Sequence, residues 1–200
     1  MTKQKIILTD CDGVLVNWNA GFIKYMAELG HVESPDGDQY YRIEDRYGVT
    51  SDVALKCITD YNHSPFIATL PAYMDSVKYV KALAEEGFRF VVITSLSSLP
   101  DARVYRMENL KNLFGDIFLE VICIGLGEPK DSVLKSWENS GLFWIEDHIE
   151  NSEAGHKLGL KSILVQHGHN SKYDTDHFPI VGPGCPWETI YNLVQNEYGI

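Results

Sequence analysis

The chain has 200 residues, 44 % of them hydrophobic and 22 % charged, with a formal net charge of −11, which suits one well-filled core plus a small insertion and leaves no basic surplus for duplex nucleic acid. No apolar stretch approaches the roughly 20 residues of a membrane span, and the run after Lys3 and Lys5 is too short for a signal peptide. Cys11, Cys57, Cys123 and Cys185 make no CxxC pair, so reduced thiols in a cytoplasmic setting are expected rather than disulfides or zinc.

Residues 5–9 are an apolar, strand-like run that ends abruptly in Asp10-Cys11-Asp12-Gly13. Residues 16–71 then show no strand pattern. Helical spacing covers 20–29 and stops at Gly30; "ESPDGD" and "QYYRIEDRYG" follow, then a second helix over 51–61 and the closing "FIATLP". From residue 72 strand and helix alternate. Strands are expected at 88–94, 118–124, 142–145 and 162–166. Helices are expected at 74–86, 101–114, 131–140 and 152–158, each running into a glycine. In helix 101–114 the apolar stripe is Val104, Met107, Leu110, Leu113 and Phe114. Residues 167–186, rich in Gly, His, Asn and Pro, read as loop, and a last helix covers 187–197. The pattern predicts an α/β protein: a Rossmann-like parallel sheet core (1–15 and 72–200) with a small helical cap (16–71) inserted after the first strand.

Parallel sheets bind ligands at the carboxyl ends of their strands. Those ends here carry Asp10 and Asp12, then Thr94 and Ser95, then Lys130 in "GLGEPKDS", then Glu146 and Asp147 with Asn151 further on. Two carboxylates drawn together repel unless a cation lies between them, and an all-oxygen site of Asp10 and Asp147 suits Mg²⁺. The set fits metal-assisted phosphoryl transfer, with Asp10 attacking phosphorus. Asp12 would protonate the leaving oxygen and later activate water, and Thr94 and Lys130 would hold the phosphoryl oxygens. "GLGEP" is no phosphate-binding glycine loop, and Ser95, Ser97 and Ser98 lack a histidine–carboxylate partner set.

"DCDGVL", "VVITS", the lone Lys130 and "WIEDHIENSEAG", in that order, resemble the four motifs of the haloacid dehalogenase superfamily of phosphohydrolases. The resemblance implies an aspartyl-phosphate enzyme. Asp10 would be its nucleophile and Asp12 its acid/base, with Thr94, Ser95 and Lys130 on the phosphate. The Mg²⁺ would be held by Asp10, Asp147 and the backbone carbonyl of Asp12. The fourth motif departs from the usual Gly-Asp or Asp-Asp; Glu146 and Asn151 are placed behind the metal ligands. Cys11 is expected to point to the opposite face. A looser resemblance to the 5'(3')-deoxyribonucleotidase branch rests on length, the early cap, "ITS", "FIATLP" and "PWETI".

That layout makes a nucleoside or deoxynucleoside monophosphate the first substrate expectation. A sugar phosphate, phosphoglycolate or an amino-acid phosphate is the alternative, and the partner is in every case a small phosphorylated metabolite. The cap, hinged near 15–17 and 69–71, is expected to close over the site. Phe22 and Tyr25 are expected in the cap's own core, while Tyr40, Tyr41 and Arg42 are candidates for substrate contact. His148, His167 and His169 read as polar loop positions. Two other readings remain open at this stage: a phosphotransferase or mutase, and a catalytically retired protein that only binds a phosphorylated ligand.

Overall fold

The computed structural model describes residues 5–200; residues 1–4, Lys3 among them, lie outside the described residues. Six strands form one parallel sheet in the order β3-β2-β1-β4-β5-β6. They are β1 (Ile6–Thr9), β2 (Arg89–Ser95), β3 (Phe118–Ile124), β4 (Phe143–Glu146), β5 (Lys161–Val165) and β6 (Ile180–Val181). The helices are α1 (Trp18–Glu28), α2 (Ile43–Tyr47), α3 (Ser51–Asn62), α4 (Ser76–Glu85), α5 (Pro100–Phe114), α6 (Asp131–Leu134), α7 (Ile149–Lys157) and α8 (Pro186–Tyr198). Among the described residues no helix is long and apolar enough to cross a membrane.

The sheet is apolar on both faces because helices cover both. Register sorts its side chains: Ile7 pairs with Phe90 and Phe143, and all three belong to the larger core with Val92, Ile145 and Ile163. Leu8 pairs with Val91 and Trp144, and these face the smaller core with Ile93, Leu134 and Leu160. A step of one residue changes the face.

The insertion between β1 and α4 contains α1, α2, α3 and two short 3₁₀ turns, and adds no strand to the sheet. It leaves and rejoins the core side by side: Val16 bridges Ala72 in antiparallel fashion, Asn17 N–H donates to the Pro71 carbonyl and Tyr73 N–H to that of Leu15. Its buried side chains, including Phe22, Met26, Tyr47 and Tyr61, are continuous with the larger sheet core.

Three expectations need correction. The tail 167–186 is not all loop: β6 adds a sixth strand, held through Leu164 N–H to the Pro179 carbonyl and Gln166 N–H to that of Val181. The helix expected over 131–140 stops at Leu134 and gives way to a 3₁₀ turn. Asn139 takes a left-handed φ of 57°, and its N–H donates to the Leu158 carbonyl, which turns the chain into β4. In α5 the buried face is Ala102, Arg106, Asn109, Leu110 and Phe114, whereas Val104 and Met107 are exposed. Two polar residues take the place of the apolar stripe because each has a partner where it is buried, the partly exposed Asp12 for Arg106 and the Leu70 carbonyl for Asn109.

Candidate active site

β1 lies at the centre of the sheet, between β2 and β4, and its carboxyl end delivers Asp10. Asp10 N–H donates to the Ile145 carbonyl at 2.8 Å, which carries the β1–β4 pairing one residue past the strand and sets Asp10 level with Glu146. Lys130, at the N-terminus of α6, reaches between them: its Nζ is 2.7 Å from Asp10 Oδ1 and 2.8 Å from Glu146 Oε2, with all three side chains buried. Glu146 Oε1 accepts the backbone N–H groups of Asp147 (3.0 Å) and His148 (3.1 Å). Both oxygens of Glu146 are therefore occupied, and its role in this geometry is to fix the lysine and the loop after β4.

Asp10, Glu146 and Asp147 each bring a carboxylate oxygen within 4.8 Å of the others. Burial pushes the Asp10 carboxyl up to about 8, with Glu146 adding repulsion and Lys130 opposing it. Burial and then the Asp10 charge push Asp147 up to about 7. Burial works against the Lys130 charge, but Asp10 and Glu146 outweigh it and hold the ammonium above the ordinary lysine range. One cation against three carboxylates leaves the pocket short of positive charge.

Asp147 comes this close because residue 13 has no side chain. A Cβ on Gly13 would lie 2.3 Å from Asp147 Oδ2, and the φ of +76° there is one that L side chains rarely adopt. His167 Nε2 donates to the Gly13 carbonyl at 2.9 Å and lies 3.5 Å from Asp147 Oδ2. Asn170 Nδ2 donates to the carbonyls of Asp147 (2.8 Å) and Val165 (2.9 Å). Tyr41, from the insertion, lies against the rings of His148 and His169 at 4.7 and 5.3 Å. The three histidines therefore border the site instead of sitting in a free loop, and burial is the main cause that lowers the basicity of each.

Asp12 is turned differently. Both its oxygens lie 2.7 Å from Nη2 of Arg106, whose side chain is fully buried in α5. Its side chain is not one of the three carboxylates drawn together. Thr94, at the end of β2, is fully buried and its hydroxyl has no partner among the described residues; Ser95 follows it as the last residue of the strand. Cys11 is fully buried in the larger core, its thiol held well up by burial.

The sequence-predicted residues thus divide. Asp10, Lys130, Glu146 and Asp147 meet in one cluster, Asp12 stands beside it on Arg106, and Thr94 offers an unused hydroxyl. Asn151 meets Trp144 through its backbone carbonyl, which accepts from Trp144 Nε1 at 3.0 Å. Tyr41 borders the site, whereas Tyr40 and Arg42 are exposed and Arg42 is paired with Glu44. Arg106, His167 and Asn170 are the residues that sequence reasoning missed.

No family model matches the chain. It is 31 % identical over 134 residues to an uncharacterized 32.4 kDa protein from the Gp30-rIII intergenic region of enterobacteria phage T4. That match takes in 64 % of this chain and 48 % of the phage protein, so the chain spans about half the length of that curated relative. Among solved structures it is similar to a predicted phosphatase of Clostridium acetobutylicum (TM-score 0.68, 17 % identity, 96 % of this chain and 99 % of that one). It is also similar to a haloacid dehalogenase-like hydrolase of Streptococcus pneumoniae (0.66, 17 %, 96 % and 100 %). A predicted phosphoglycolate phosphatase of Haemophilus somnus gives 0.65 at 15 % identity, over 98 % of this chain and 100 % of that one. At such identities the likeness is one of fold, and it extends over nearly the whole of each structure.

Proposed function

We propose that this chain, whose fold is that of the haloacid dehalogenase-like hydrolases, is a phosphatase acting on a small phosphate monoester through an aspartyl-phosphate. The observation that carries this reading is the buried Asp10–Lys130 pair at the carboxyl edge of the sheet, with Asp147 beside it and Asp12 two residues along. Asp10 Oδ2, the oxygen not paired with Lys130, attacks phosphorus. The Lys130 ammonium and the unpartnered Thr94 hydroxyl meet the charge that builds on the phosphoryl oxygens. Asp12 gives a proton to the leaving oxygen and then takes one from the water that opens the aspartyl-phosphate.

The residues fit a divalent cation. Asp10 and Asp147 offer an all-oxygen donor set at the right spacing, which suits Mg²⁺, while Glu146 is committed to Lys130 and two backbone N–H groups. A bound Mg²⁺ would supply the positive charge that the three carboxylates lack and would neutralise the ester's phosphate. For the substrate, a nucleoside or deoxynucleoside monophosphate is the reading that Tyr41 supports. It is an exposed aromatic residue on the insertion, lying against His148 and His169 beside the acidic cluster, and an aromatic ring there can stack on a base. The insertion (16–71) then acts as the cap, and the core (1–15 and 72–200) carries the chemistry.

The test is phosphate release with Mg²⁺ across nucleoside monophosphates, deoxynucleotides, sugar phosphates and phosphoglycolate. Wild-type protein should release phosphate, EDTA should stop it, and Asp10→Asn should release none while melting at the wild-type temperature. Turnover by Asp10→Asn at the wild-type rate would end the aspartyl-phosphate reading.

A further inference from the structure

Arg106 is the feature this chemistry does not yet use. Its guanidinium is fully buried, and among the described residues Asp12 is its one ion-pair partner. Burying a guanidinium is unfavourable unless its partner and its remaining donors are satisfied. Here they are not: one nitrogen, Nη2, meets both Asp12 oxygens at 2.7 Å, and Nε and Nη1 are buried without partners among the described residues. Arginine commonly meets a carboxylate through two nitrogens in a planar fork, which fixes the direction of both groups. A contact through one nitrogen is a pivot, about which the carboxylate can turn without losing its cation. Asp12 is in turn the more open member, with 23 % of its side chain exposed against none for Arg106. The closed partner is Arg106 and the open one is Asp12.

We propose that Arg106 is a positioning residue for Asp12, setting the direction from which that carboxylate meets the ester's bridging oxygen and then the attacking water. The inference rests on the reading above that Asp12 transfers protons. It predicts a kinetic signature that packing alone would not produce. Esters whose leaving alkoxide needs a proton depend on Asp12 placement, whereas p-nitrophenolate leaves without one.

The experiment compares Arg106→Met and Arg106→Lys with wild type on an alkyl phosphate and on p-nitrophenyl phosphate. Arg106→Met should lower kcat on the alkyl ester by about 10–10²-fold, with KM changed little and a smaller loss on the aryl ester. Arg106→Lys, which keeps the charge, should recover part of that loss. Adding Arg106→Met to Asp12→Asn should slow the enzyme no further, because the first acts through the second. Equal losses on both esters in the first-turnover release of alcohol or phenol, before the aspartyl-phosphate is opened, or losses that add to those of Asp12→Asn, would overturn the proposal. Should Arg106→Met fail to fold, Arg106→Lys carries the same comparison. Crystal structures of wild type and Arg106→Lys give a readout free of turnover: Asp12 should shift or take several rotamers in the variant, and an unmoved Asp12 sinks the idea. Absence of turnover by wild type on every ester would instead remove the phosphatase reading, and the two crystal structures would still decide whether Arg106 places Asp12.

Discussion

The sheet core and the helical insertion hold themselves together by different means. In the core, Ile7, Val92 and Ile145 pack on one face and Leu8, Ile93 and Trp144 on the other, so burial follows strand alternation. In the insertion a few aromatic rings do that work: Trp18 stacks on Phe22 at 4.3 Å and meets Tyr61 edge-on at 5.4 Å, and Tyr61 meets Tyr25 and Phe66. The seam between the two regions is stitched by amides. Asn62 Nδ2 donates to the Leu96 carbonyl at 3.1 Å, and Asn109 Nδ2 donates to that of Leu70 at 2.9 Å. Apolar layers tolerate small shifts along themselves, whereas hydrogen bonds fix a distance and a direction. The chain therefore places directional bonds where the insertion must sit in register with the site.

That contrast can be broken first at Gly13, where the core, the site and the route into the insertion meet. Gly13→Ala forces a Cβ to within 2.3 Å of Asp147 Oδ2 at a φ of +76°. Displacing that carboxylate should cost on the order of 10²-fold in kcat, with a strain of about 1–3 kcal/mol seen in denaturant unfolding. Near-wild-type kinetics would mean that Asp147 need not sit so close.

Next in size is a change inside the core. Gly155 of α7 lies against Trp144, and a Cβ there would come within 2.3 Å of Trp144 Cδ1 and 2.9 Å of Ser162 Oγ. The gain in helix propensity for Gly155→Ala is about 1 kcal/mol, but overpacking a filled core costs about 1–3 kcal/mol. The Trp144 ring is held by its Nε1 bond to the Asn151 carbonyl and cannot yield freely. A net loss of stability is expected, read as a lower melting temperature; a rise would show that the Trp144 face relaxes.

How far the sequence announced all this follows the same division. The strands of the core were legible because their burial is apolar and regular, and the acids at their ends stood out because they interrupt apolar runs. β6 was hidden, since two residues, Ile180 and Val181, carry no pattern within a Gly- and Pro-rich tail. Asp10, Lys130 and Asp147 could be paired by their place at strand ends, but Arg106 could not, because its partner lies 94 residues away in sequence and nothing local marks it. The usable signal was weaker: Ala102, Arg106, Asn109 and Phe114 share a helical face, and a face that alternates small, cationic, amide and aromatic residues can bury only if partners await it. Tyr61 and Trp18 were readable as aromatic, yet the carbonyl groups that hold Asn62 and Asn109 come from backbone and leave no trace in sequence.

Asn109→Ala sharpens the seam itself. It strips the Leu70 carbonyl of its donor in a buried place, for a loss of about 1–2 kcal/mol and, because residues 69–71 close the insertion, a fold-rise in KM larger than any fold-fall in kcat. Unchanged KM with lowered stability would reduce Asn109 to a packing role.

The smallest single effect, that of Trp18→Phe, separates the two kinds of adhesion within the insertion once it is set beside the larger loss from Trp18→Ala. Trp18 both stacks on Phe22 and donates through Nε1 to Asn62 Oδ1 at 2.9 Å, and Asn62 passes the connection on to the Leu96 carbonyl. Trp18→Phe keeps an aromatic ring on Phe22 and removes the donor, which should cost about 0.5–1.5 kcal/mol. Trp18→Ala removes both and should cost more, about 2–3 kcal/mol, below the full cost of truncating a core aromatic because Trp18 is partly buried. Since Leu96 follows Thr94 and Ser95 by a residue or two, Trp18→Phe should also loosen Asn62 against the end of β2, measurable as faster amide exchange at residues 96–99. Equal costs for the two variants would assign the hold to the hydrogen-bonded thread alone; no cost for Trp18→Phe would assign it to the rings.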